Sequence, residues 1–193
     1  MGKKSIALLM AVIMLVSVFA PQLNVNAADS SMVDSGTATV TTTGAGIGVT
    51  IGTAIGTVGD TVTVPITFKN VVNSGDVAVC SLYIGYDTSF LEATAVTAGA
   101  LVLNPQVNFK SNINTNGGSI AFLFLDNTMG SEMITTDGVF AYITFKLKST
   151  PADIITPVLF NKEGVFGDKN GIRIASGDMN NGSITIKVGN TLK

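Results

Sequence analysis

Alternation with a period of two residues constrains this chain more than any other feature. Val62, Val64, Ile66 and Phe68 alternate with Thr61, Thr63, Pro65 and Thr67, and Cys80, Leu82, Ile84 and Tyr86 alternate with Val79, Ser81, Tyr83 and Gly85. Val139, Ala141, Ile143, Phe145 and Leu147 alternate with Phe140, Tyr142, Thr144, Lys146 and Lys148, and Ile184, Ile186 and Val188 with Ser183, Thr185 and Lys187. Successive side chains of a strand point to opposite faces, so each run sends its first set to a core and its second to a surface. The runs are rich in β-branched and aromatic residues, and turn chemistry bounds them at Val58-Gly59-Asp60, Asn116-Gly117-Gly118, Asp137-Gly138 and Asn181-Gly182. No helical stripe exceeds about two turns, and no repeat of 20 to 50 residues is visible. Together these features predict an all-β fold of two packed antiparallel sheets, a β-sandwich. Pro65 has no N–H to give a neighbouring strand, which predicts a sheet edge or a bulge at that point.

The pattern does not extend over the whole chain of 193 residues. Lys3 and Lys4 precede an apolar run from Ile6 to Ala20, and Val25-Asn26-Ala27 supplies small residues before a cut, so residues 1–27 read as a secretory signal peptide. The run is short against the roughly 20 apolar residues of a membrane span. An uncleaved N-terminal anchor stays open as the alternative. Residues 28–48 are Ser/Thr/Gly/Ala-rich with little apolar bulk and predict a linker, which leaves residues 49–190 as the domain.

Composition then removes several kinds of chemistry. Without Lys3 and Lys4, nine of the eleven basic residues remain against thirteen acidic ones, and no basic run offers a phosphate-binding stripe. The chain has no histidine and one cysteine, Cys80, so Ser–His and Cys–His nucleophile arrangements and an internal disulfide are impossible. Asp126, Glu132, Asp137 and Glu163 leave a glycosidase-like carboxylate pair formally open, but Asp137 reads as a turn residue, and Asp126 and Glu132 flank a polar loop. Asp168-Lys169-Asn170-Gly171 and Asp178-Met179-Asn180-Asn181-Gly182 resemble calcium loops only faintly, because neither has the downstream acid that would complete one, and turns are the plainer reading. Direct sugar binding would want flat aromatic platforms, and the chain has no Trp and only Tyr83, Tyr86 and Tyr142. A secreted carbohydrate-binding sandwich is retained as the alternative function.

One surface departs from what a solvated sheet would show. In Ser119-Ile120-Ala121-Phe122-Leu123-Phe124-Leu125-Asp126-Asn127, Phe122 and Phe124 fit the core, so Ala121, Leu123 and Leu125 point the other way. Val79, Ser81 and Tyr83 share the outward face of their own run. Two outward rows, apolar in the middle and ending in Asp126 and Asn127, describe an apolar patch with a polar rim, the form of a partner site. The other reading is that a second layer of the same chain covers them.

The segment Val58-Gly59-Asp60-Thr61-Val62-Thr63-Val64-Pro65-Ile66 resembles the opening strand of a type I cohesin. So do Cys80-Ser81-Leu82-Tyr83-Ile84-Gly85-Tyr86-Asp87 with Phe90-Leu91-Glu92, Phe122-Leu123-Phe124-Leu125-Asp126-Asn127, and Ile134-Thr135-Thr136-Asp137-Gly138-Val139-Phe140-Ala141. The series keeps its order and spacing over roughly residues 50–188. This resemblance implies a nine-stranded antiparallel β-sandwich with jelly-roll topology. It implies a non-catalytic scaffoldin module of a cellulosome that binds dockerins on glycoside hydrolases, a monomer before docking, secreted or attached to the cell envelope. It implies no cofactor on this chain and calcium on the dockerin partner. By position it implicates Val79, Ser81, Leu123, Leu125, Asp126 and Asn127 in docking, with Asn114 and Ile172 as rim contacts. Val79 and Ser81 stand where some cohesins have polar residues, one of them acidic, which implies recognition of a subset of dockerins.

Overall fold

The computed structural model describes residues 46–189; the signal peptide and the linker up to residue 45 lie outside the described residues. Among the described residues thirteen strand segments form two sheets. The first sheet has the order β12 (Ser176–Asn180), β1 (Ile47–Ile51), β3 (Thr61–Lys69), β8 (Gly138–Leu147) and β5 (Leu91–Ala98). The second is built around β4 (Val79–Tyr86). One edge of β4 pairs along its length with β7 (Ser119–Leu125), which carries β6 (Phe109–Asn114) outside it. The opposite edge is shared by β10 (Val165–Gly167) at Val79–Ser81 and β9 (Ile154–Phe160) at Ile84–Tyr86. Beyond β9 come β13 (Gly182–Lys187) and β2 (Thr53–Thr57), and beyond β10 comes β11 (Arg173–Ile174).

Nine long strands are present once two broken ones are rejoined, together with the short β10–β11 hairpin. β1 leaves the first sheet at Gly52 and continues as β2 in the second, and β12 does the same at Asn181 to become β13. Asn181-Gly182, expected as a turn, is therefore a corner at which a strand changes sheets. The two crossing strands run side by side in the same direction, so β1–β12 and β2–β13 are parallel pairs in an otherwise antiparallel sandwich. Their contact is close: a Cβ on Gly182 would lie 2.2 Å from the Gly52 carbonyl oxygen. The domain also begins earlier than residue 49, because Ile47 is fully buried in β1 and Gly48 pairs with Lys69. A single large apolar residue before the main pattern gives no period to read.

Alternation sorts the core as expected. Cys80, Leu82 and Ile84 of β4, Val64, Ile66 and Phe68 of β3, and Ile184 and Ile186 of β13 are all sealed from solvent. Pro65 falls where the β1 pairing gives out: the register ends at Ile51↔Ile66, the Gly52 N–H still donates to the Pro65 carbonyl at 2.8 Å, and the β3–β8 register slips one residue later. That slip corrects the reading of β8. Ile66 faces Ala141 and Thr67 faces Val139, so Phe140 is the extra residue of a bulge and turns inward beside Ala141. Its ring stacks on Phe68 at 4.5 Å and meets Phe109 at 5.5 Å, Phe122 at 6.4 Å and Phe124 at 6.4 Å, which places it at the centre of the aromatic core.

Candidate docking surface

β4 and β7 place their outward side chains in register. Val79 lies opposite Leu125, Ser81 opposite Leu123, and Tyr83 opposite Ala121. All six keep partial exposure, whereas the residues between them, Cys80, Leu82, Phe122 and Phe124, are buried. The second-layer alternative fails here, because a cover would have sealed both faces of β7. The strip is carried by paired strands, so its geometry is fixed before anything meets it. β6 adds a third row that the sequence did not reveal, with Lys110 opposite Leu123, Asn112 opposite Ala121, and Asn114 opposite Ser119. Phe109-Lys110-Ser111-Asn112-Ile113-Asn114 is too polar to have signalled a strand.

The expected site residues do not all gather at this strip. Val79, Ser81, Leu123 and Leu125 form its centre. Ile172 joins them from the turn between β10 and β11, whose Gly167 pairs with Val79, and it is 64% exposed. Asn114 is exposed, but it sits at the other end of β7, about 20 Å from Leu125 at the ordinary strand rise. There its Oδ1 accepts the Gly117 N–H at 2.9 Å and closes the β6–β7 turn.

Asp126 requires a correction. It is only 4% exposed, and its carboxylate points into its own loop, accepting from the Thr128 N–H at 2.8 Å, the Thr128 hydroxyl at 2.5 Å and the Gly130 N–H at 2.7 Å. Burial alone would raise this carboxyl, but the hydrogen bonds from Thr128, Gly130 and Glu132 outweigh it and hold the group below the usual carboxylate range. Asp126 therefore shapes the rim from beneath and does not offer its oxygens to a partner. Asn127 is the exposed neighbour, tied by its side-chain amide to the carbonyls of Val107 and Leu125 and to Asn108 Oδ1. Buried Asn108 in turn donates to Glu132 Oε2 at 2.6 Å. The loop so braced projects Met129, 78% exposed with φ of 62°, beyond the Leu125 end of the strip.

The carboxylates that left hydrolysis open are all engaged structurally. Asp137 accepts from the N–H groups of Asn70 and Val71 at 3.0 and 2.8 Å, Glu163 pairs with Arg173 at 3.9 Å, and Asp126 and Glu132 brace the rim loop. Among the described residues no group of three or more acidic or cysteine side chains is placed to hold a metal ion. The Asp168 carboxylate accepts the Ile172 and Asn170 N–H groups at 2.8 Å each, which makes its loop a turn. Tyr83 and Tyr142 lie on different sheets and Tyr86 is buried, so the tyrosines form no shared platform for a sugar.

A family model for the cohesin domain matches residues 47–186. The chain is 47% identical over 111 residues to cellulose-binding protein A of Clostridium cellulovorans, covering 58% of this chain and 6% of that protein. It is 34% identical over 178 residues to cellulosomal-scaffolding protein A of Acetivibrio thermocellus, covering 90% of this chain and 8% of that one. The chain thus spans less than a tenth of either relative. Among solved structures, the seventh type I cohesin of a Pseudobacteroides cellulosolvens scaffoldin superposes with a TM-score of 0.68 at 38% identity, covering 76% of this chain and 96% of that one. The cohesin of a type I cohesin–dockerin complex from Clostridium thermocellum superposes with a TM-score of 0.69 at 28% identity, covering 77% and 97%.

Proposed function

We propose, because this chain belongs to the cohesin family as a type I domain, that its strip of β4 and β7 docks a dockerin and so holds a dockerin-bearing glycoside hydrolase in place for plant polysaccharide degradation. The module is non-catalytic. One observation carries the reading: Val79, Ser81, Leu123 and Leu125 stand in register, half-exposed, on paired strands whose other faces are sealed. Apolar side chains at the centre of such a face lose their water on docking and supply most of the affinity. The Asn127 rim sets orientation. A surface borne on strands needs little ordering when it binds. Calcium belongs to the partner on this reading, and this chain needs no cofactor. The leader-like residues 1–27 support export to the cell surface or beyond, and the domain meets its partner as a monomer.

The test is a native gel and calorimetric titration of the purified domain with a calcium-loaded dockerin, repeated with a chelator. Complex formation that the chelator abolishes supports docking. No shift with any of a panel of dockerins, together with retention on insoluble cellulose, would favour the carbohydrate-binding sandwich instead.

A further inference from the structure

We propose that Lys110 and Lys162 make this face selective for a dockerin that sets carboxylates against it, an inference that rests on the docking reading above. Lys110 is the only charged residue in β4, β6 and β7, and it lies on the outer face opposite Leu123. Its Nζ donates to the Gln106 carbonyl at 2.8 Å, which holds the ammonium at one flank of the strip. Lys162 guards the other flank. The Asn161 N–H donates to the Tyr83 carbonyl at 2.9 Å, and a Cβ on Gly85 would meet Asn161 Oδ1 at 2.2 Å, so the glycine leaves room for this segment to lie against β4. Lys162 Nζ then sits 3.5 Å from the centroid of the Tyr83 ring. Tyr83 and Lys110 are two strands apart, which separates the flanks by roughly 10 Å across the sheet.

Neither ammonium is balanced from within the domain. Among the described residues the ion pairs are Arg173–Glu163 and Lys187–Asp153. The carboxylates bordering the strip serve their own loops: Asp126 is buried under Thr128, Glu132 takes the Asn108 amide, and Asp168 closes the β10–β11 turn. Each ammonium has three donors and spends at most one on the protein, so both have capacity for a partner's oxygens. Opposite charges placed this way favour the right partner and penalise a basic one more than they add affinity.

The experiment takes a dockerin that binds the wild-type domain and measures Kd at low and high salt for Lys110→Gln/Lys162→Gln, Lys110→Glu/Lys162→Glu and Leu123→Asp. It also uses a dockerin whose docking-face carboxylates are changed to Lys. The Gln pair should weaken binding about threefold to tenfold, the Glu pair more than about tenfold, and high salt should erase most of the difference. The Lys-bearing dockerin should prefer the Glu pair to the wild type. If every lysine variant binds like wild type at both salts while Leu123→Asp abolishes binding, the docking face stands and the charge selection is wrong. If Leu123→Asp also binds like wild type, the docking reading itself has failed.

Discussion

Asp126 follows directly on β7, the strand proposed to dock, and yet acts inside the fold. Removing its carboxylate leaves the N–H groups of Thr128 and Gly130 without their acceptor in a part-buried loop. Asp126→Ala should therefore cost about 1–3 kcal/mol of stability, read as a lower denaturation midpoint. It should also weaken docking indirectly by releasing the Asn127 rim. The folded carboxyl titrates below the unfolded one, so its contribution is whole at neutral pH. It drains away as the pH falls from the ordinary carboxylate value toward the lower folded value. A pH series of melts should show wild type losing stability through that acid window and Asp126→Ala losing less of it. Equal acid sensitivity in the two proteins would contradict the assignment. The sequence offered Asp126 as a polar rim residue, and nothing in Leu125-Asp126-Asn127 separates a presented carboxylate from an inward one. That distinction is made by Thr128 and Gly130 folding back, which is loop geometry without a period.

At the scale of elements, the strand crossings at Gly52 and Asn181-Gly182 determine whether the two sheets close into one sandwich. The Gly182 position lies 2.2 Å from the Gly52 carbonyl oxygen and 2.6 Å from Ile51 Cγ2, measured from where a Cβ would be. Backbone cannot yield there as a flexible side chain would, so Gly182→Ala should push the crossing strands apart. It should cost about 1–3 kcal/mol, seen as an earlier thermal transition, while Gly59→Ala, which meets no atom within 4 Å, should act only through its φ of 91°. The same crossings explain what was legible beforehand. β3, β4, β7 and β8 were readable because each stays in one sheet with one face buried, and β13 because its own half of the crossing strand does the same. β6 was missed because its residues are polar, and the parallel end pairings were missed because strand direction leaves no mark on side-chain alternation. Phe140 was assigned outward because one bulge residue reverses the parity of everything before it.

For the whole molecule, an aromatic core joins both sheets. Phe140 and Phe68 come from the first sheet, and Phe109, Phe122 and Phe124 come from the second. Phe140→Ala should cost about 3–5 kcal/mol and lower the melting temperature of the entire domain, with no local transition left behind. Cys80 reports the same cooperativity chemically. It is fully buried, and burial pushes its thiol well up, so a thiol reagent should label it only when the domain opens. Fast labelling in native buffer would contradict the packing described for β4. The fold class and the half-exposed outward rows of β4 and β7 were readable because both rest on alternation and burial. The flanking charges were not, because Lys162 reaches Tyr83 through a fold-back of β9 onto β4 that no local pattern records.

The central claim is that the outer face of β4 and β7 is a partner's seat, and Leu123→Asp tests it most directly. Leu123 is half-exposed, so the free domain should tolerate the carboxylate and melt within a few degrees of wild type. Docking would bury that charge in the apolar centre of the face, and the Lys110 ammonium opposite it, held by the Gln106 carbonyl, offsets only part of the cost. Titration with a calcium-loaded dockerin should therefore show Kd weakened by a hundredfold or more, on the order of 3 kcal/mol. An unchanged Kd in a variant that melts like wild type would mean that the dockerin meets this domain elsewhere.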